Sequence, residues 1–385
     1  MLPRWEPTWD MRMSTIFMPC NDSGFHDVKE AVRYGIVSYD WSNAKQLWVN
    51  NRPAPMNDEE LLTKQAEMVM AADTKPNKTR VWVYRNTIKA LNWFGSVREK
   101  LDDPAFAGWF IKFSGNGNYS QPACDANYSP PKCSTFWHDQ AQSPAHPKGD
   151  GNCEQPCYCG VNPCGEYIFD HRNSSFAEWF LNGWMISNET LGHPGITGLL
   201  LDDHMLKTGP TETHGHFLAD TGLSSQAMAD SVSSYNANVD TLWKTIVAKG
   251  GFAWDLFGGG EAFHGVKMKP QQCLSVLARV CSAQNEQNAH AVFYKMSPNN
   301  DLLTSLGEQY TAAFLLTRGK FAWIGFEWAG CRATYYPRPK SWDVDYGVPL
   351  GNCSALASNG TFVRHFSKAT VTWDCHAGKG AITMR

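Results

Sequence analysis

The chain has 385 residues, with 34 basic against 37 acidic side chains, and 43% of it is apolar. With 18% charged and 13% aromatic residues it has the apolar content to collapse, which excludes a disordered chain. A net charge of −3 supplies no basic stripe for phosphates, and apolar runs such as residues 196–201 fall far short of the ~20 that span a bilayer, so neither nucleic acid nor a membrane span is expected.

In chain order, short apolar runs alternate with helical patterns. Strand candidates lie at residues 13–19, 35–40, 80–85, 166–170, 196–202, 252–257, 291–296 and 321–327. A helix is predicted over 57–72, where Asn57 and Glu60 resemble a capping box and Leu62, Ala66 and Val69 form a stripe. Over 224–249, Met228, Val232, Tyr235, Val239, Leu242 and Ile246 step by three and four, and Gly250-Gly251 closes the helix. Pro270 opens a third helix, and 301–317 supplies a fourth.

Eight strands alternating with helices imply parallel pairing and a (β/α)8 TIM barrel over residues 1–340. An open doubly wound sheet is disfavoured, because no G-x-G-x-x-G follows the first strand. Residues 114–165 form a Cys-rich insertion. Residues 341–385 change to short antiparallel strands, a small C-terminal β appendage packed on the barrel.

Twelve cysteines, six of them at Cys124, Cys133, Cys153, Cys157, Cys159 and Cys164, read as disulfide staples and place the chain in an oxidising compartment. Cys273 and Cys281 sit eight residues apart on one helix, about 12 Å, so they cannot bridge each other. Cys20, Cys331, Cys353 and Cys375 are expected to tie the terminal segment to the barrel. Sequons at Asn21, Asn77, Asn118, Asn127, Asn173, Asn188, Asn352 and Asn359 exceed the roughly three that composition predicts by chance. Both features point to an extracellular, glycosylated protein, secreted or held at a cell surface or wall. The first 14 residues carry no apolar core of a signal peptide, so the sequence reads as a mature or trimmed form.

In a parallel barrel, chemistry gathers at the carboxyl ends of the strands. Several strand candidates end there in an acid: Asp40, Asp170, Asp202-Asp203, Asp255 and Glu327. Any one of them suits a helix cap or a turn, but so many buried carboxylates are costly without a purpose. Paired carboxylates suit glycosidic hydrolysis, one donating a proton and the other attacking or activating water. Asp202 is the preferred nucleophile or base, with Glu327 or Asp255 as acid. Strand parity puts Asp202 on the face of Leu200 and Gly198, whose small size leaves room beneath the carboxylate, and turns Asp203 toward the helix layer. Trp41, Trp254 and Trp328 lie beside these acids as platforms for a sugar face. Glu261, past the Gly258–Gly260 run, is a further partner, and Asp40, Asp170, Arg172 and Asp203 complete the expected substrate-binding set. His204, His214 and His216 with Asp203 have generic metal-like spacing but read as loop histidines, and neither metal nor cofactor is expected.

Three segments carry a family resemblance: Gly198-Leu-Leu-Leu-Asp202-Asp203, Tyr167-Ile-Phe-Asp170-His171-Arg172-Asn173, and Asp343-Val-Asp345-Tyr346-Gly347-Val-Pro349. Together they resemble glycoside-hydrolase-like TIM barrels, over a stretch running from about residue 80 to the C-terminus without the Cys-rich insertion. The resemblance implies a barrel, a carbohydrate ligand and a site that includes Asp202 and Asp170. It leaves two classes open: a glycoside hydrolase, or a non-catalytic scaffold that binds glycan or assembles with an extracellular-matrix or self-assembly partner.

Overall fold

A computed structural model of the chain describes residues 9–19, 21, 23–44, 47, 57–113, 122–125, 128–136, 159–204, 208–213, 220–255, 268–282, 290–294, 301–326, 337–356 and 359–385. Its central sheet has seven parallel strands: β1 (Thr15–Phe17), β2 (Ile36–Tyr39), β3 (Arg80–Asn86), β4 (Gly198–Asp202), β5 (Phe252–Asp255), β6 (His290–Tyr294) and β7 (Ala322–Phe326). They run in the order β6-β7-β1-β2-β3-β4-β5. The first strand therefore pairs with the last, Thr15 opposite Ile324. That pairing of first strand with last gives the sheet the cyclic strand order of a barrel, which a doubly wound sheet lacks. No ladder joins β5 to β6 among the described residues. The fold is an α/β barrel of TIM type carrying disulfides and a C-terminal antiparallel sheet.

One expected barrel strand is placed elsewhere. Glu166–Ile168 pairs antiparallel with Lys89–Leu91 in a separate two-stranded sheet, Ala90 opposite Tyr167. Its buried run Tyr167-Ile168-Phe169 has the same local pattern as a barrel strand, and only the pairing partner distinguishes the two.

Register sets the interior layers. Ser38 lies opposite Trp82, Trp82 opposite Gly198, and Gly198 opposite Phe252, so these four share one level. The rings of Trp82 and Phe252 meet at 5.5 Å, and those of Phe252 and Trp323 at 5.7 Å. Gly198 serves this aromatic layer and not the carboxylate above it. A Cβ there would lie 2.3 Å from Trp82 Nε1 and 2.4 Å from the Phe252 carbonyl oxygen. On the opposite face of β3, buried Arg85 donates to the carbonyls of Tyr84 and Glu189, at 2.8 and 3.1 Å. Its guanidinium lies 3.8 Å from Glu59, on the helix packed outside the sheet.

The short helix α1 (Val28–Ala31) is followed by α2 (Asp58–Ala72). The expected capping box forms differently here: Asn57 makes no side-chain bond to the backbone and donates Nδ2 to Glu60 Oε2 at 2.7 Å. Then come α3 (Gly95–Asp102), α4 (Ser174–Glu178) and α5 (Ser225–Ala248). Ser224 caps α5 by accepting from Ala227 N, and Tyr235, Val239, Leu242 and Ile246 are its buried stripe, as the periodicity predicts.

α6 (Pro270–Ser282) and α7 (Asp301–Thr317) lead to the C-terminal sheet of β8 (Ser354–Ala355), β9 (Thr361–His365), β10 (Ala369–Asp374) and β11 (Lys379–Met384). All neighbouring strands in it are antiparallel. Two bridges bolt this sheet to α6, Cys273–Cys375 and Cys281–Cys353, so each helix cysteine finds a distant partner, as the helical rise demands. Cys124–Cys133 and Cys159–Cys164 staple the insertion. Cys20, Cys153, Cys157 and Cys331 lie outside the described residues. The Asp343-to-Pro349 segment is a docking turn. Asp343 pairs with Arg33 and Arg338 at 3.2 and 2.9 Å, and Tyr346 donates to Ser341 O. Gly347 has φ of 77°, and a Cβ on it would collide with Ser367 Oγ.

Among the sequons, Asn77, Asn188, Asn352 and Asn359 are exposed, whereas Asn21 and Asn173 are partly buried. Asn173 caps α4, its Oδ1 accepting from Ser175 N and Phe176 N. Asn118 and Asn127 lie outside the described residues. No helix of the described residues is long and apolar enough to cross a membrane.

Candidate active site

The carboxyl ends of β3 and β4 carry a connected polar cluster. In register, Asn86 lies opposite Asp202 and Tyr84 opposite Leu200. Side chains two residues apart on a strand share a face, so Tyr84 and Asn86 point toward the acid at the end of the neighbouring strand. Tyr84 Oη donates to Asp202 Oδ2 at 2.7 Å. Asn86 Nδ2 donates to Tyr84 Oη at 2.9 Å and to Asp203 Oδ2 at 2.6 Å.

Asp203 does not turn to the helix layer. Its backbone is left-handed, with φ of 53°, which brings its carboxylate back over the sheet end into the same network. Lys89 Nζ lies 3.7 Å from Asp203 Oδ2 and 3.1 Å from Glu166, so the small outer sheet delivers a cation to the second acid. The Asp203 N–H donates to Asp202 Oδ1 at 2.9 Å.

Hydrogen bonds from Thr87 and Tyr235 fix the backbone of this turn. Thr87 N and Oγ1 both donate to Asp202 O, at 3.0 Å, and Tyr235 Oη donates to Asp203 O at 3.2 Å. His171 Nε2 is 2.9 Å from Thr87 O, and Asn238 Nδ2 is 3.2 Å from His171 Nδ1. This network assigns the proton to Nε2. Burial pushes the imidazole down to about 4, so it is neutral and acts as a fixed donor.

Asp202 is electrostatically distinct. Burial, followed by the charge of Asp203, pushes its carboxyl up to about 7, against the opposing bonds from Tyr84 and the Asp203 N–H. Asp40 contributes in the same direction. Burial and these acids together hold the Tyr84 phenol well above its ordinary value, so it stays a donor.

Asp40 follows Tyr39 at the end of β2. Ser38 shares the level of Trp82, so Asp40 occupies the inward face at the level of Tyr84. It is buried and accepts from Ser42 N at 3.1 Å and from Ser42 Oγ. Half-buried Trp41 lies against Trp93, centroids 5.1 Å apart. Asp40, Asp202 and Asp203 thus converge on Tyr84.

The other expected residues are placed differently. Asp170 follows the outer strand and takes two bonds from Arg172, at 2.8 and 2.6 Å, while Arg172 Nη1 reaches Ala227 O. This pair forms a turn ahead of α4, off the barrel sheet. Asp255 ends β5 in register with Leu201, one position short of Asp202, and Trp254 is in register with Leu200. Glu327, Trp328, Glu261, His214 and His216 lie outside the described residues. His204 packs against Trp243 at 5.8 Å, and no group of three or more potential metal ligands occurs among the described residues.

Tyr84, Asn86, Lys89, Glu166 and His171 were not expected at the site. The one signal in sequence was the Trp82, Tyr84, Asn86 alternation on a strand otherwise rich in valine.

No family model matches the chain. No curated protein matches it either. Among solved structures it is distantly similar to a GH31 dextranase of Flavobacterium johnsoniae complexed with glucose, at 9% identity and a TM-score of 0.43. That match covers 89% of this chain and 39% of the dextranase. A trehalose-6-phosphate hydrolase of Bacillus licheniformis is similar at 11% identity and a TM-score of 0.39, over 83% of this chain and 65% of that one. A family GH13_31 enzyme is similar at 10% identity and a TM-score of 0.36, over 83% and 66%. The chain spans less than two thirds of the length of each of these glycoside-hydrolase structures.

Proposed function

We propose that the chain is a secreted glycoside hydrolase in which Asp202 is the proton donor. The observation that carries this reading is the Asp202 carboxyl at a barrel strand end, raised to about 7 between Tyr84 and Asp203. A carboxyl that keeps its proton near neutrality suits a general acid better than a nucleophile, which reverses the role expected from sequence.

Asp40 is the second carboxylate in this reading. It lies two strands from Asp202 and two residues earlier in register, about 12 Å between backbones at ~4.8 Å per strand and ~3.3 Å per residue. The Asp40 charge acts on the Asp202 carboxyl across this gap, and inward-leaning side chains would bring the two carboxyls toward the roughly 6.5–9.5 Å of pairs that admit a water and invert the anomeric centre. In the reaction, Asp202 would protonate the leaving oxygen while Asp40 takes a proton from the attacking water. Asn86 and Lys89 hold the Asp203 carboxyl beside Asp202, and Trp41 offers a flat face for the sugar.

Glu327 and Asp255 remain the rival second carboxylates. The test is release of reducing ends from a panel of plant and algal polysaccharides by wild type, Asp202→Asn, Asp40→Asn, Asp255→Asn and Glu327→Gln. Loss of activity in Asp202→Asn and Asp40→Asn supports the assignment. Full activity in Asp202→Asn sinks it, and loss in Glu327→Gln with Asp40→Asn unaffected moves the second role to Glu327. A chain that binds panel glycans and cleaves none is the scaffold.

A further inference from the structure

The opposite mouth of the barrel holds a cavity of about 480 Å³. Its lining comes from the segments that precede β1, β2 and β3, at the amino ends of the strands, together with Asp343. Chemistry in such barrels belongs to the other face, so this cavity calls for a different occupant.

The lining is chemically mixed. Met13, Val32 and Pro76 give it apolar wall, and Arg12, Arg33 and Lys75 give it donors. The cations are balanced locally. Arg12 bonds both carboxylate oxygens of Asp10, at 3.3 and 3.2 Å, Arg33 pairs with Glu30 and Asp343, and Lys75 lies 3.7 Å from Asp73. A cavity with neutralised charges, donors, acceptors and apolar patches does not select an anion. It suits a neutral, hydroxyl-rich ligand with an apolar face, such as a sugar.

One lining residue supplies the tether. Asn77 is exposed, lines the cavity and opens the sequon Asn77-Lys78-Thr79. We propose that Asn77 carries an N-linked glycan whose first N-acetylhexosamine units fold back into this cavity. In the modifying step Asn77 Nδ2 forms a bond to the anomeric carbon of an oligosaccharide. The bond from that carbon to a lipid pyrophosphate breaks, the pyrophosphate leaves with the electron pair, and the amide nitrogen gives up one proton to solvent. A tether this short holds the sugar at an effective concentration on the order of millimolar, enough to fill a weak site. The inference shares the secretory part of the proposed function and is independent of the carboxylate site.

The test expresses the full chain in secretory eukaryotic cells and follows glycopeptides by mass spectrometry during digestion with a glycan-releasing amidase. The expected result is a glycan at Asn77, absent in Asn77→Gln, released at least tenfold more slowly from native than from denatured protein. The exposed sites Asn188, Asn352 and Asn359 serve as comparators wherever they are modified. Arg12→Ala keeps the sequon but removes one cavity wall, and it should narrow the native-to-denatured ratio. An unmodified Asn77, or native release as fast as denatured, overturns the proposal, and neither result bears on hydrolysis by Asp202.

Discussion

Replacing Asp202 by Asn should make the protein more stable at alkaline pH, relative to wild type, than at acid pH. The wild-type carboxyl titrates at about 7 when folded and near 3.9 in an unfolded chain. Between these values the folded state holds the extra proton, so stability falls as pH rises from about 4 to 7, and the loss is complete above the folded value. Three units correspond to about 4 kcal/mol. Asn carries no such penalty. It does lose one bond at every pH, because its amide can accept from Tyr84 or from the Asp203 N–H but not from both, at a cost of roughly 1–3 kcal/mol. The pH-dependent change in the mutant-minus-wild-type difference is therefore the informative quantity. With an unfolding entropy of about 2.1 cal/mol/K per residue over 385 residues, 4 kcal/mol corresponds to a swing of about 5 °C in Tm. Calorimetric scans at one scan rate, from pH 4 to pH 8.5, measure it. A difference that stays constant with pH would show that the carboxyl is not held above its ordinary range, and the proton-donor reading would lose its basis.

Tyr84→Phe removes a bond that favours the ionised form of Asp202, so its pKa should rise further, by about one to two units from the usual worth of a bond to a charged group. The alkaline limb of the pH–rate profile should move up with it, and an unmoved limb would exclude Asp202 as the group reported there. Gly198→Ala places a methyl against Trp82 and the Phe252 backbone and should cost about 1–3 kcal/mol in urea unfolding; a neutral substitution would refute the packing described. Changing Cys273 and Cys375 together to Ala opens a bridge across 102 residues and should cost roughly 2–5 kcal/mol, with faster proteolytic release of the C-terminal sheet. Unchanged release would mean that Cys281–Cys353 and the packing of α7 suffice.

Much of the fold was legible in sequence because it rests on local patterns. The 3.6-residue stripe of α5 and the apolar runs of the barrel strands need no distant partner to be read. The failures share a cause. Residues 166–170 have the composition of a buried strand, and nothing local tells that Tyr167 pairs with Ala90 instead of entering the barrel. The site divided the same way. Asp202 was legible as a strand-end acid, but Tyr84 and Asn86 reach it only through the β3–β4 register, and Lys89 through the outer sheet. Parity misplaced Asp203 because it assumes a continuing strand, and the left-handed turn at that residue breaks the alternation. Helical rise correctly excluded a Cys273–Cys281 bridge, while the true partners, 102 and 72 residues away, depend on how the C-terminal sheet docks.

General acid catalysis by Asp202 can be probed with aryl glycosides of whichever sugar the polysaccharide panel identifies. Wild type and Asp202→Asn are compared on leaving groups that do and do not need a proton. If Asp202 is the donor, the variant should lose about 10²–10⁴-fold in kcat/KM on a poor leaving group and retain near wild-type rates on a dinitrophenolate. Equal losses on both substrates, or none on either, would contradict the assignment.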